Sequence, residues 1–193
     1  MMALTPSKQN PKFDFGGINH LALVCSDMRQ TVDFYSGVLG MPLIKTVNIP
    51  GGGQHFFFDC GGGDSLAFFW FENAPDGVPG ISHPKTRPDE ADFVTAVASM
   101  NHVSFTVPVE KFDEYVENLK AAGIAVSPVW NHDDSPTTVA ETLHDGVYVR
   151  SVYFQDPDGV LLEFACWTRE FGPGEAELEP KTGAERRPQQ LGV

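Results

Sequence analysis

No apolar run in this chain approaches the about 18 residues needed to cross a bilayer. The opening segment, MMALTPSKQNPKFDF, has no apolar core of the kind a secretory leader carries, so a cytoplasmic protein is expected. Cysteine is scarce: Cys25, Cys60 and Cys166 are odd in number and far apart, which excludes a disulfide framework and any CxxC zinc or redox site. Reduced thiols are the simple reading. Basic residues are few as well, 13 against 26 acidic ones, for a formal charge of −13. A duplex or an anionic membrane surface would repel such a chain, so neither nucleic acid nor membrane is an expected partner. Core material is plentiful: 41% of the 193 residues are apolar and 15 are Phe. That suits one generous domain or two small modules sharing a core.

The order of elements repeats. Residues 18–25 read as a strand, and Ser26 or Asp27 can cap a helix whose apolar face is Val32, Phe34, Tyr35, Val38 and Leu39. Gly40 stops it and Pro42 follows; strands are expected over 43–47, 55–59 and 65–71, joined by the glycine turns at 51–53 and 61–63. The second round gives a strand over 100–107 and a helix over 109–122 opened by Pro108 and stopped by Gly123. Strands over 124–129, 137–142, 147–154 and 160–167 complete it. Asn19-His20 opens one half and Asn101-His102 the other, which makes internal duplication the strongest architectural signal. The expected organisation is an N-terminal arm (1–15), a βαβββ module (16–72), a linker (73–98, helix-compatible from 89 to 97), a second βαβββ module (99–168) and an acidic C-terminal tail (169–193).

Three side chains stand out for chemistry. His20 and His102 occupy matching positions on the opening strands, and Glu163 interrupts the otherwise apolar strand Val160-Leu-Leu-Glu-Phe-Ala-Cys-Trp. A carboxylate there either points to solvent or meets a cationic partner. Two imidazoles and one carboxylate on separate strands make a set suited to Fe(II) or Mn(II), with positions left open for ligands. Taken singly, each of the three residues has an ordinary structural reading; the duplicated frame is what joins them. The glycine runs are turns between strands, since no helix follows to complete a phosphate-binding fingerprint.

With these residues in place, residues 16–168 resemble the vicinal oxygen chelate (glyoxalase/bleomycin resistance/dioxygenase) superfamily. The resemblance implies an α+β fold of two tandem βαβββ modules, forming curved mixed sheets around a metal site. It places His20, His102 and Glu163 at the metal-ligand positions, and a homodimer is expected. Glyoxalase I-like lyases use a further ligand on the last strand of the first module, where this chain has Ala67 opposite Glu163, with Glu72 too far along. Fosfomycin-resistance thiol transferases share the three-ligand set but need cations for a phosphonate, and the second half offers few beyond Lys111, Lys120 and Arg150.

Type I extradiol ring-cleaving dioxygenases, active in aromatic compound catabolism, carry a signature that His144, Tyr153, Asp156-Pro157, Gly159 and Glu163 fit along its length. The resemblance then implies a non-haem Fe(II) dioxygenase acting with O2 on a catechol-like or other bidentate aromatic substrate. Mn(II), Zn(II) and Ni(II) are the alternative metals. His144 and Tyr153 would handle protons and orient substrate. Two departures stand. Asp64 precedes Ser65-Leu66-Ala67-Phe68 where such enzymes place a further His, with His55 one strand earlier as the candidate substitute, and the chain has two modules where many such enzymes have four. The alternatives are a glyoxalase-like lyase or isomerase working through an enediolate, and a metal-free, bleomycin-resistance-like binding protein.

Overall fold

A computed structural model describes residues 12–85, 92–172 and 174–187. Gly16–Arg169 forms one compact unit, and the described residues of the two termini belong to another. In the terminal unit a short 3-10 turn, Gly183–Glu185, is closed by a reciprocal capping box between Thr182 and Glu185. Among the described residues no helix is long and apolar enough to cross a membrane.

The main unit holds two mixed sheets. In the first, β1 (His20–Val24), β2 (Leu43–Asn48), β3 (Gln54–Gly61) and β4 (Asp64–Trp70) lie in the order β1-β4-β3-β2, with β1 parallel to β4 and the other pairs antiparallel. In the second, β5 (Val103–Thr106), β6 (Trp130–His132), β7 (Val139–Ala140), β8 (Val149–Gln155) and β9 (Leu161–Trp167) lie in the order β5-β9-β8-β6-β7, with β5 parallel to β9. The parallel closure of first strand on last is what a strand–helix–strands repeat requires, because a helix must carry the chain over the sheet. This is the expected α+β architecture.

Each helix covers one face of its sheet. Asp27, not Ser26, caps α1 (Met28–Val32): its carboxylate accepts from the amides of Arg29 at 2.8 Å and Gln30 at 3.1 Å. The helix then widens into a π-helical turn, Asp33–Val38. Consecutive residues on an ordinary helix point about 100° apart; the wider turn lets Phe34 and Tyr35 both be buried, while Val38 from the expected apolar face stays exposed. Gly40, at φ 72°, makes the left-handed stop. In the second module a 3-10 turn after Pro108 leads into α2 (Phe112–Ala121), which buries Phe112, Val116 and Leu119.

Three expectations are corrected. Residues 124–129 make no strand; they contribute one bridge, Val126 to Phe154, and the pairing edge shifts to Trp130–His132. Strand 137–142 shrinks to Val139–Ala140. Residues 92–97 are not helical, and 89–91 lie outside the described residues.

The modules share a core in which Tyr35, Phe58, Leu66 and Phe68 of the first meet Phe154 and Leu162 of the second. Burial of each such large side chain stabilises the fold by about 1.5–3 kcal/mol. A polar latch runs through this core. The Tyr35 hydroxyl donates to Asp156 at 3.0 Å, and Asp156 also accepts from the amides of Asp158 and Val160 at 2.9 and 2.8 Å. Ser26 bonds Asp158 through both its amide and its hydroxyl. Gly159 closes this turn at φ 83°, where an added Cβ would lie 3.1 Å from the His83 ring.

Burial raises the Asp156 carboxyl to about 6, despite the hydrogen bonds from Val160 and Tyr35 that oppose the rise. A folded-state value above the unfolded one means that its contribution to stability is full below about pH 4 and is lost as pH rises through 6. Urea unfolding at pH 4 and pH 7 should therefore show wild type losing about 2 kcal/mol relative to Asp156→Asn across that interval. A difference that does not change with pH would contradict this origin.

Candidate functional site

Strand alternation leaves one face of each sheet free of its helix. On the second sheet that face carries His102, Ser104, Glu163, Ser151 and Tyr153. Ser104 lies directly opposite Glu163 in the β5–β9 register, and Tyr153 lies opposite it in the β8–β9 register. His102 Nε2 stands 3.2 Å from Glu163 Oε2, and its Nδ1 bonds Asn101 Oδ1 at 2.7 Å. Glu163 is buried, which by itself would raise its carboxyl; hydrogen bonding from His102, Ser151 and Ser104 outweighs burial and holds it down to about 2. It is therefore ionised throughout the physiological range. Burial, with Glu163 beside it, pushes the Tyr153 phenol well up, so Tyr153 stays a neutral donor. The Ser151 hydroxyl is fully buried next to both.

On the first sheet the corresponding face carries His20, whose Nδ1 bonds Asn19 Oδ1 at 2.7 Å, the same arrangement as in the second module. Both Asn–His pairs fix the imidazole through Nδ1 and leave Nε2 to point away from its neighbour. His55 shares this face. Its ring stacks on Phe69 at 3.6 Å and approaches Phe57 at 4.3 Å, and Phe57 in turn is edge-on to His20 at 5.7 Å. His55 Nε2 is buried without a hydrogen-bond partner, and burial followed by the nearby His20 lowers its pKa, keeping the ring neutral.

The registers show why the two faces differ. Ala22 pairs with Ala67 where Ser104 pairs with Glu163, so Ala67 and Glu163 occupy matching positions and the first sheet supplies no carboxylate there.

Of the residues singled out from sequence, the structure brings together His102, Glu163 and Tyr153. His20 lies on the other sheet, and among the described residues of one chain no three His, Cys, Asp or Glu side chains converge as a metal-binding group. His144 has partners of its own. Its Nε2 meets Asp133 at 3.2 Å and its Nδ1 accepts from the Gly146 amide at 3.0 Å, so neither ring nitrogen is left over. Asp133 also accepts from Ser135, and the carboxylate is held below its usual range first by that hydroxyl. Asp64 sits at the start of β4 with its carboxylate against Gly17. Asn101 and Asn19 were visible in the sequence as markers of duplication; their bonding role to His102 and His20 was not inferred.

The cations expected to be few are also engaged elsewhere. Arg150 pairs with Asp113 at 2.9 Å and lies over the Phe112 ring on the helix side of the sheet, while Lys111 and Lys120 pair with Glu114 and Glu117.

A family model described as the Glyoxalase/Bleomycin resistance protein/Dioxygenase superfamily matches residues 17–164. The glutathione transferase FosA of Serratia marcescens is 29% identical over 146 residues, 76% of this chain and 77% of that protein. The crystal structure of a glyoxalase family protein from Enterococcus faecalis superposes with a TM-score of 0.54 at 23% identity, over 78% of this chain and 98% of that one. The fosfomycin resistance protein FosX of Listeria monocytogenes, solved with Mn(II) and sulfate, gives a TM-score of 0.51 at 21% identity over 80% and 95% of the two chains. Similarity at this level between structures is similarity of fold. The sequence relative named above is a transferase, and nearness to ring-cleaving dioxygenases is not carried by the comparisons.

The bonding of His144 has a measurable consequence. In His144→Ala, amide hydrogen exchange across residues 133–147 should quicken about tenfold, the worth of about 1.4 kcal/mol of lost hydrogen bonding, with metal affinity unchanged. Unchanged exchange together with lost metal would contradict the assignment.

Proposed function

The chain belongs to the Glyoxalase/Bleomycin resistance protein/Dioxygenase superfamily, and within it we propose a metal-dependent enzyme whose centre is completed between two copies of the chain. The observation that carries this reading is the division of donors. One open face presents a single Asn-braced imidazole, His20, and the other presents a second Asn-braced imidazole, His102, against an ionised carboxylate, Glu163. Among the described residues neither face gathers three donors into one group, and together His20, His102 and Glu163 supply two nitrogens and one oxygen, a set that fits a divalent Fe, Mn or Zn ion. Large apolar side chains at the ends of these faces, Val24, Phe71 and Trp167, are exposed in the single chain, which suits a second copy as their cover.

The reaction proposed is extradiol-type ring cleavage of a catechol-like substrate, with Fe(II) as the metal. Both atoms of one O2 enter the product as a ring C–C bond beside a hydroxylated carbon breaks, and no outside reductant is consumed. When bound, the ion supplies a Lewis acid that holds the two substrate oxygens side by side. The protein's own groups do the rest. Glu163 stays anionic, Tyr153 offers a neutral O–H to a substrate oxygen, and His55, from the face that brings His20, offers an unpartnered neutral nitrogen for a phenolic proton. His144 and Asp64 serve their own loops in this reading.

A second reading, thiol transfer to an electrophile, is favoured by the likeness to FosA. Against its phosphonate form stand the engaged arginine and lysines named above. Fosfomycin is accordingly expected to leave the melting temperature of the metal-loaded protein unmoved, whereas catechol should raise it; the reverse pattern would favour the transferase.

The two-chain centre has its own test. His20→Ala and Glu163→Ala should each lose metal as pure proteins. Co-expressed and isolated as a mixed dimer, they should recover one of the two sites, because one interface then keeps all three donors. No recovery in the mixed dimer would contradict a shared centre. Anaerobic loading with Fe(II), followed by equimolar O2 uptake with catechol and a yellow product, checks the reaction itself.

A further inference from the structure

Within the connection between the modules, the described residues 92–97 bring Phe93 onto the open face of the second sheet. Residues 92–97 run without helix, and the Phe93 ring lies against Tyr153 at 5.0 Å and edge-on to Trp130 at 5.3 Å, while Trp130 and Tyr153 meet at 5.4 Å. Tyr153 is in turn edge-on to His102 at 5.7 Å and directly opposite Glu163 in the sheet. Three aromatic rings therefore stand at the edge of the donor pair, and one of them is carried by the connection rather than by the sheet.

That connection is fastened at defined points. The Ala96 amide donates to the Ile81 carbonyl at 3.1 Å. The Asn101 side-chain amide donates to the Phe93 carbonyl and to Thr95 Oγ1, the latter at 3.5 Å. The oxygen of the same amide bonds His102 Nδ1. One side chain thus holds the connection with one end and the imidazole with the other. The Asn19 side chain in the first module bonds only its histidine among the described residues. On the outer side of the connection, Val94 and Val97 face solvent.

We propose that residues 92–97 form a wall of the metal-site pocket, that Phe93 is its specificity-determining side chain, and that Asn101 is a positioning residue tying this wall to His102. This rests on the metal-centre reading above and adds the part of the pocket that chooses among flat aromatic substrates. Phe93, packed on Tyr153 beside the donor pair, limits the space next to it, so the wall favours one aromatic ring over two fused ones.

The test uses full-length protein loaded with Zn(II), which removes turnover from the measurement. Catechol and 2,3-dihydroxynaphthalene are titrated against tryptophan fluorescence. Wild type should prefer catechol. Phe93→Ala should shift the ratio of the two Kd values toward the two-ring diol by about tenfold, the order of effect for a large side chain lining a pocket, with metal content unchanged. Asn101→Asp keeps the acceptor for His102 but cannot donate to the Phe93 carbonyl. It should shift the ratio in the same direction with metal affinity within about threefold of wild type, whereas Asn101→Ala, losing both bonds, should weaken metal binding about tenfold or more. If wild type binds both diols and neither Phe93→Ala nor Asn101→Asp moves the ratio, the wall is wrong and the metal-centre reading stands. If metal-loaded wild type and variants bind neither diol, the aromatic-substrate reading falls and the wall falls with it.

Discussion

The parallel pairing of β5 with β9 decides what this protein can hold. Its register sets Ser104 opposite Glu163, and with β8 on the other side setting Tyr153 there too, a carboxylate is buried among hydroxyls and one imidazole. Burial without those partners would neutralise Glu163; with them it stays charged, and a buried anion facing an Asn-braced imidazole is a poor structural element but a good half of a metal site. The first sheet repeats the geometry with Ala67 in the carboxylate's place, so duplication of the frame did not mean duplication of the donors.

The two halves of the molecule are held by chemistry that lies away from this face. Tyr35 reaches from the π-helical turn to Asp156, and Ser26 reaches to Asp158, so the Asp-Pro-Asp-Gly turn of the second module is bolted to the start of the first. The helix sides pack into the shared core, and the opposite sides carry His20 on one sheet and His102 with Glu163 on the other. The buried Cys25 and Cys166, with thiols pushed up by burial, take part in packing and not in this chemistry.

Much of the architecture was legible because it rests on short-range rules. Alternation along strands, the Asp27 cap and the glycine stops are local, and the paired Asn-His dipeptides mark the repeat. What escaped depends on contacts that no local pattern encodes. Residues 124–129 have strand-like composition but lie where Trp130–His132 takes the pairing edge. Residues 92–97 have helix-compatible composition but bond across the fold, through Ala96 to Ile81 and through Asn101 to the Phe93 carbonyl. The partners of the His144 ring, Asp133 eleven positions earlier and the Gly146 amide, are likewise set by loop contacts that spacing does not encode. The duplicated frame marks His20 and His102 as matching positions, while their separation onto two sheets, with Ala67 where the second sheet has Glu163, could not be read from spacing along the chain.

The most direct measurement is anomalous diffraction, at the metal's absorption edge, from crystals of the protein loaded with Fe(II) or Mn(II). A single peak bridging His20 of one chain and the His102–Glu163 pair of another is the predicted result. A peak held by one chain alone, or one that leaves His20 or Glu163 unligated, would contradict it.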